Sequence, residues 1–72
     1  MQMKTNEIRE LTSDEIKKRL DDAREEIMRL RFRQATGELT DTSQIRLTRR
    51  TIARFVTILD ERARAAEMEG EA

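Results

Sequence analysis

A row of arginines near the middle of the chain contains the residue types best suited to binding chemistry. Arg46, Arg50 and Arg54 follow one another every fourth residue, which places them on one face of a helix. No acidic residue occurs from Thr42 to Leu59, so nothing within this segment neutralises the row. Because like charges at this spacing repel one another, we expect an external anion to bind here.

The charges of the whole chain are sorted along its length, although the formal net charge is zero. Segment 27–59 has seven basic and two acidic residues, whereas the segments before and after it are both net acidic. All seven basic residues are arginines, whose planar guanidinium groups suit bidentate contacts with phosphate. The predicted phosphate-binding residues are Arg29, Arg31, Arg33, Arg46, Arg49, Arg50 and Arg54.

The low aromatic content of the chain favours folded RNA over single-stranded nucleic acid as the phosphate-bearing partner. Two Phe and no Trp or Tyr disfavour recognition of single strands by base stacking. A folded RNA contacted through phosphates and 2′-hydroxyls fits better. The charge pattern alone leaves a helical protein–protein interaction module equally open.

Catalysis and metal binding are disfavoured by the residues that the chain lacks. It has no Cys and no His, which removes thiol and imidazole chemistry and the usual zinc ligands. The adjacent carboxylates Asp21–Asp22 and Glu25–Glu26 point in different directions on a helix. We therefore expect no enzymatic activity, no metal and no cofactor. The absence of a long apolar run and of a signal-peptide pattern predicts a cytoplasmic protein without membrane contact.

Two long helical patterns position the arginines. Thr12 and Glu15 form a capping box, after which apolar residues recur in steps of four and three from Ile16 to Leu30. Gly37 is expected to end this helix, and Asp41 to cap the next one. The second pattern continues with Ile45, Arg49, Ile52, Val56, Leu59, Ala63 and Ala66.

The connection between the two helices is short, so the helices should pack antiparallel. The predicted fold is a single all-α domain spanning residues 1–72. It consists of a long, coiled-coil-like two-helix hairpin with a short N-terminal helical turn. The predicted boundaries are a helix at about 13–36, a turn at 37–41, a helix at about 42–66 and an acidic tail at 67–72. The expected facing pairs include Ile27 with Ile52, Ala23 with Val56 and Ile16 with Ala63.

A second row of apolar residues lies beside the residues through which the two helices pack. In a two-helix hairpin each helix covers only one face of the other, so this second row is available to a protein partner. The predicted protein-contact residues are Met28, Phe32, Phe55 and Ile58. On the alternative interpretation, these residues would let a stand-alone helical hairpin dimerise or bind a partner helix.

Three motifs carry a family resemblance, namely Leu30-Arg31-Phe32-Arg33-Gln34-Ala35-Thr36-Gly37-Glu38-Leu39, Ile45-Arg46-x-x-Arg49-Arg50-x-Ile52-Ala53-Arg54 and the N-terminal Met3-Lys4-x-x-Glu7-Ile8-Arg9. Through these motifs, nearly the whole sequence resembles the bacterial large-subunit ribosomal protein family number twenty-nine. The resemblance implies a helical hairpin bound to 23S rRNA beside the polypeptide exit tunnel, next to ribosomal protein number twenty-three and near nascent-chain factors. It places Arg31, Arg46, Arg49, Arg50 and Arg54 near rRNA, and Lys4 in the matching N-terminal motif adds a further basic position.

Overall fold

In the described part of the chain, two long helices form a hairpin and a short N-terminal helix packs against it. The computed structural model describes residues 4–38 and 41–70. Helix α1 spans Thr5–Arg9, α2 spans Ser13–Ala35 and α3 spans Ser43–Gly70. The described residues extend over 54 × 19 × 16 Å, so the molecule is a rod. The predicted helical hairpin with a short N-terminal helix is confirmed.

Both ends of α2 have the capping interactions that the sequence predicts. The Oγ1 atom of Thr12 accepts a hydrogen bond from the Glu15 amide at 3.2 Å. At the other end, Gly37 has a φ of 84°, a conformation that side chains disfavour. The Gly37 and Glu38 amides donate to the carbonyls of Gln34 and Arg33, at 3.1 and 2.9 Å. This pair of hydrogen bonds is a Schellman motif, which closes the helix and turns the chain.

Helix α3 differs from its predicted bounds at both ends. It begins at Ser43, one residue later than predicted, and the Asp41 carboxylate accepts a hydrogen bond from the Ser43 amide at 2.9 Å. It continues through Gly70, beyond the predicted end at 66, because Ala, Glu and Met favour helix. Residues 39 and 40 of the predicted turn, and 71 and 72 of the predicted tail, lie outside the described residues.

The core faces a different side of α3 from the one that the heptad pattern predicts. Phe55 and Ile58 are buried with Ile16 and Leu20 of α2, whereas Val56 is 43% exposed. Ala63, which was expected opposite Ile16, is also exposed. The expected pairs that involve Val56 and Ala63 are therefore wrong. Nearer the turn, Leu30 and Ile45 are buried as well.

Helix α1 explains this rotation of α3. The Ile8 side chain is fully buried and completes the cluster that contains Ile16, Leu20, Phe55 and Ile58. Because α1 packs against α3, the apolar side of α3 must face both α1 and α2. The rotation places Phe55 and Ile58 between the three helices.

Arg62 fixes the connection between α1 and α2. Its guanidinium donates hydrogen bonds to the Ser13 hydroxyl at 3.0 Å and to the backbone carbonyls of Arg9 and Leu11, at 3.0 and 2.8 Å. An ion pair of 3.5 Å between Arg9 and Glu61 supports the same junction. These contacts hold α1 against the hairpin.

Candidate nucleic-acid interface

The first turns of α3 present exposed arginines to solvent. Arg46 and Arg50 lie on the side of α3 away from the core, whereas Arg49 is exposed at the edge of the contact between α2 and α3. Arg46 and Arg50 line a shallow surface groove together with Ser43 and Leu47. Their four-residue spacing places the two guanidinium groups one helical turn apart, and α3 carries no acidic residue in its first turn. This surface therefore attracts an anion.

A second groove runs between α2 and α3 on a neighbouring face of the hairpin. Its lining combines two arginines and one threonine with apolar residues from both helices, namely Ile27, Arg31, Arg49, Ile52, Ala53, Val56 and Thr57. We refer to it as the apolar groove. Within residues 4–38 and 41–70, Arg31, Arg49 and Arg50 form no ion pair. These three guanidinium groups are available to an external anion.

The other predicted arginines already have contacts within the chain. Arg29 lies 3.4 Å from Glu26, and Arg33 lies 3.9 Å from Glu38. Both pairs are largely exposed, and such pairs contribute at most about 1 kcal/mol, so phosphate can compete for these arginines. Arg54 is half-buried and already engaged within the protein.

Asp41 adds one negative charge close to the arginines. The hydrogen bond from the Ser43 amide lowers the pKa of the Asp41 carboxyl, and the Ser43 hydroxyl and the positive charge of Arg46 lower it further. Asp41 therefore stays ionised at neutral pH and offsets part of the Arg46 charge.

Lys4 lies apart from the arginine surface. It is exposed at the N-cap position of α1 and lines neither the apolar groove nor the groove of Arg46 and Arg50. The structure thus brings Arg31 together with Arg49 and Arg46 together with Arg50, places Arg29 on the outer face of α2, and leaves Lys4 outside both grooves.

The four predicted protein-contact residues divide into two pairs. Met28 and Phe32 are 72% and 70% exposed and lie together on the outer face of α2, beside Glu25 and Arg29. Phe55 and Ile58 are instead almost fully buried in the core, because the rotated α3 packs them under α1. In the folded chain, these two residues are therefore not accessible to a partner, and of the four predicted residues only Met28 and Phe32 are exposed.

Two features of the structure were not anticipated from the sequence. The sequence does not reveal the apolar groove, because the heptad pattern places Ile52 and Val56 in the interior of the hairpin. Arg62 was given no role, although its position four residues after Ile58 puts it on the buried side of α3. A charged residue at such a position is a signal that a polar contact lies within reach.

Across residues 4–38 and 41–70, no group of acidic residues is arranged to hold a metal ion. None of the three described helices combines the length and hydropathy needed to cross a membrane.

Comparison with known proteins identifies close relatives of this chain. Residues 6–62 match the family model described as Ribosomal L29 protein. The large ribosomal subunit protein uL29 of Desulfatibacillum aliphaticivorans is 46% identical over 59 residues, which cover 82% of this chain and 95% of that protein. The proteins of the same name from Staphylococcus aureus (strain JH9) and Staphylococcus carnosus (strain TM300) are each 48% identical over 60 residues, covering 83% of this chain and 87% of theirs.

The match to the family model and the identity to these relatives extend over most of the chain, including the turn and the arginine-rich start of α3. The chain therefore belongs to the ribosomal L29 family, and it is a structural, non-enzymatic protein of the large ribosomal subunit in the cytoplasm.

Proposed function

We propose that this chain binds 23S rRNA through the exposed arginines at the turn end of the hairpin, and that it lies beside the polypeptide exit tunnel. The observation that carries the proposal is the exposure of Arg31, Arg49 and Arg50 without an ion pair to any described residue. Guanidinium groups in this state bind phosphate without first losing an internal partner.

The proposed RNA-binding residues contribute in different ways. Arg31, Arg46, Arg49 and Arg50 form the centre of the interface, because they project from the two sides of the apolar groove and from the adjacent surface of α3. Arg29 and Arg33 exchange weak, exposed carboxylate contacts for phosphate contacts. Arg54 is assigned to its edge, and Lys4 to a separate RNA contact outside the arginine surface, where each adds positive charge.

The outer face of α2 is the proposed contact with a neighbouring protein. Met28 and Phe32 form an exposed apolar pair on a helix that is otherwise highly charged. Exposed pairs of this kind are typical of protein interfaces. By the family resemblance, the partner is ribosomal protein number twenty-three, and nascent-chain factors would dock nearby.

A charge reversal on the arginine surface tests the proposal. The double variant Arg46→Glu with Arg50→Glu is expected to fail to enter the large subunit, because the reversed side chains repel phosphate. Both residues are exposed, so the helix content measured by circular dichroism should be unchanged.

The matched control is Lys17→Glu with Lys18→Glu, which makes the same change in net charge on an exposed part of α2 far from the turn. This control should enter the subunit normally. Normal incorporation of the Arg46→Glu, Arg50→Glu variant would contradict the proposed interface.

A further inference from the structure

The apolar groove has a composition that rRNA phosphates alone do not explain. Phosphate contacts require only the arginines, yet Ile27, Ile52 and Val56 leave apolar surface exposed between Arg31 and Arg49. Val56 is 43% exposed, although a β-branched aliphatic residue is usually buried. An occupant that matches this groove therefore combines an apolar body with a negative charge.

We infer that the apolar groove holds a single unpaired nucleotide of the rRNA, with its ribose and base against Ile27, Ile52 and Val56 and its phosphate between Arg31 and Arg49. The inference rests on the proposed rRNA binding and adds the part of the RNA that this site takes. Unpaired nucleotides can be splayed out of an RNA fold, which leaves the ribose and base free to contact a protein surface.

The shape and charge of the groove favour a nucleotide over an acidic protein side chain. The groove offers about 500 Å³, within the range of about 300–1,000 Å³ that small-ligand sites occupy. A carboxylate side chain would fill only a small part of this volume. The groove is also open along the hairpin, so a nucleotide could enter while its chain continues on both sides. No acidic residue lines it, so nothing in the lining opposes a phosphate.

A photocrosslinker placed at Val56 identifies the occupant directly. The chain contains no Cys, so Val56→Cys provides one thiol for attachment of a benzophenone maleimide. The labelled full-length chain is incorporated into large subunits that lack this protein, irradiated and analysed for crosslinked RNA and protein. The expected product is a crosslink to one unpaired rRNA nucleotide, located by a stop in reverse transcription.

The control is Met28→Cys, which carries the same label on the exposed outer face of α2. It should not crosslink to the nucleotide found from Val56. A crosslink from Val56 to a neighbouring protein, or to base-paired rRNA alone, would overturn the inference.

Filling the groove provides a second test that keeps every arginine. The variant Val56→Trp extends a partly exposed side chain into the groove rather than into the core. We expect it still to bind rRNA, with a salt dependence reduced by no more than the one phosphate contact between Arg31 and Arg49, but to lose protection of the one nucleotide against 2′-hydroxyl acylation. Unchanged protection would contradict the inference alone. A wild-type chain that protected no rRNA at all would contradict the proposed function as well, so the two failures are distinguishable.

Discussion

At the scale of single residues, Arg62 connects α1 and α2 to α3. Its three hydrogen bonds reach the end of α1, the connection and the first residue of α2. Two of its acceptors are backbone carbonyls that no helix hydrogen bond satisfies, because they lie at or beyond the end of α1. One side chain thus joins all three helices near the open end of the hairpin.

Replacing Arg62 is expected to weaken the fold. Arg62→Ala should lower the free energy of unfolding by about 1–3 kcal/mol, because hydrogen bonds from a charged, partly buried donor are lost. Urea unfolding followed by circular dichroism measures this change.

The control for Arg62 is Arg64→Ala. Arg64 lies two residues further along α3 and is paired with Asp60 at 3.0 Å, but its side chain is 76% exposed. A pair of this kind contributes about 0.5 kcal/mol or less, so the unfolding curve should scarcely move. Equal losses in the two variants would show that Arg62 does not join the helices as described.

The sequence predicts correctly the helix caps that depend on interactions between nearby residues. Gly37 was assigned to the helix end and has the expected positive φ, and Thr12 caps α2 through the Glu15 amide. Both depend on neighbours within a few residues in the sequence. The contact of Arg62 with Ser13 joins positions 49 residues apart, and no local pattern contains it.

At the scale of elements, the sequence predicted the two long helices and their antiparallel packing but not the rotation of α3. Two apolar rows on α3 compete for the core, one containing Ile52, Val56 and Ala63 and the other Phe55 and Ile58. The first row follows the heptad pattern, which therefore predicts that it faces α2. In the structure, Phe55 and Ile58 are buried with Ile8 of α1, Ile52 packs partly buried beside them, and Val56 and Ala63 are exposed. The docking of a five-residue helix leaves no periodic signal by which it could have been predicted.

Two adjacent substitutions test the rotation of α3. Phe55→Ala should reduce the free energy of unfolding by about 3–5 kcal/mol, since it removes a buried aromatic side chain. Val56→Ala should reduce it by about 1 kcal/mol or less, because Val56 lies in the exposed groove. Urea titration of both variants gives the comparison, and a larger loss for Val56 than for Phe55 would restore the heptad arrangement.

At the scale of the whole molecule, charge and packing are separated along the rod. The clustered core of Ile8, Ile16, Leu20, Phe55 and Ile58 lies toward the α1 end, whereas most of the exposed arginines lie toward the turn. Folding and the proposed RNA binding therefore use largely different parts of the chain. The arginine surface could be predicted, since helical spacing fixes which residues share a face. The apolar groove could not, because it depends on how far α3 is rotated.

The central claim is that exposed arginines bind rRNA through phosphates, and the salt dependence of binding tests it most directly. About five phosphate contacts predict a log–log slope of roughly −3 to −5 for the binding constant against salt concentration, at about 0.7–0.9 per contact. Arg49→Gln should make the slope less negative by about one such contact. Filter binding of large-subunit rRNA at several salt concentrations measures both slopes. A slope near zero, together with helicity that rises with protein concentration, would contradict the account and favour self-association through Met28 and Phe32.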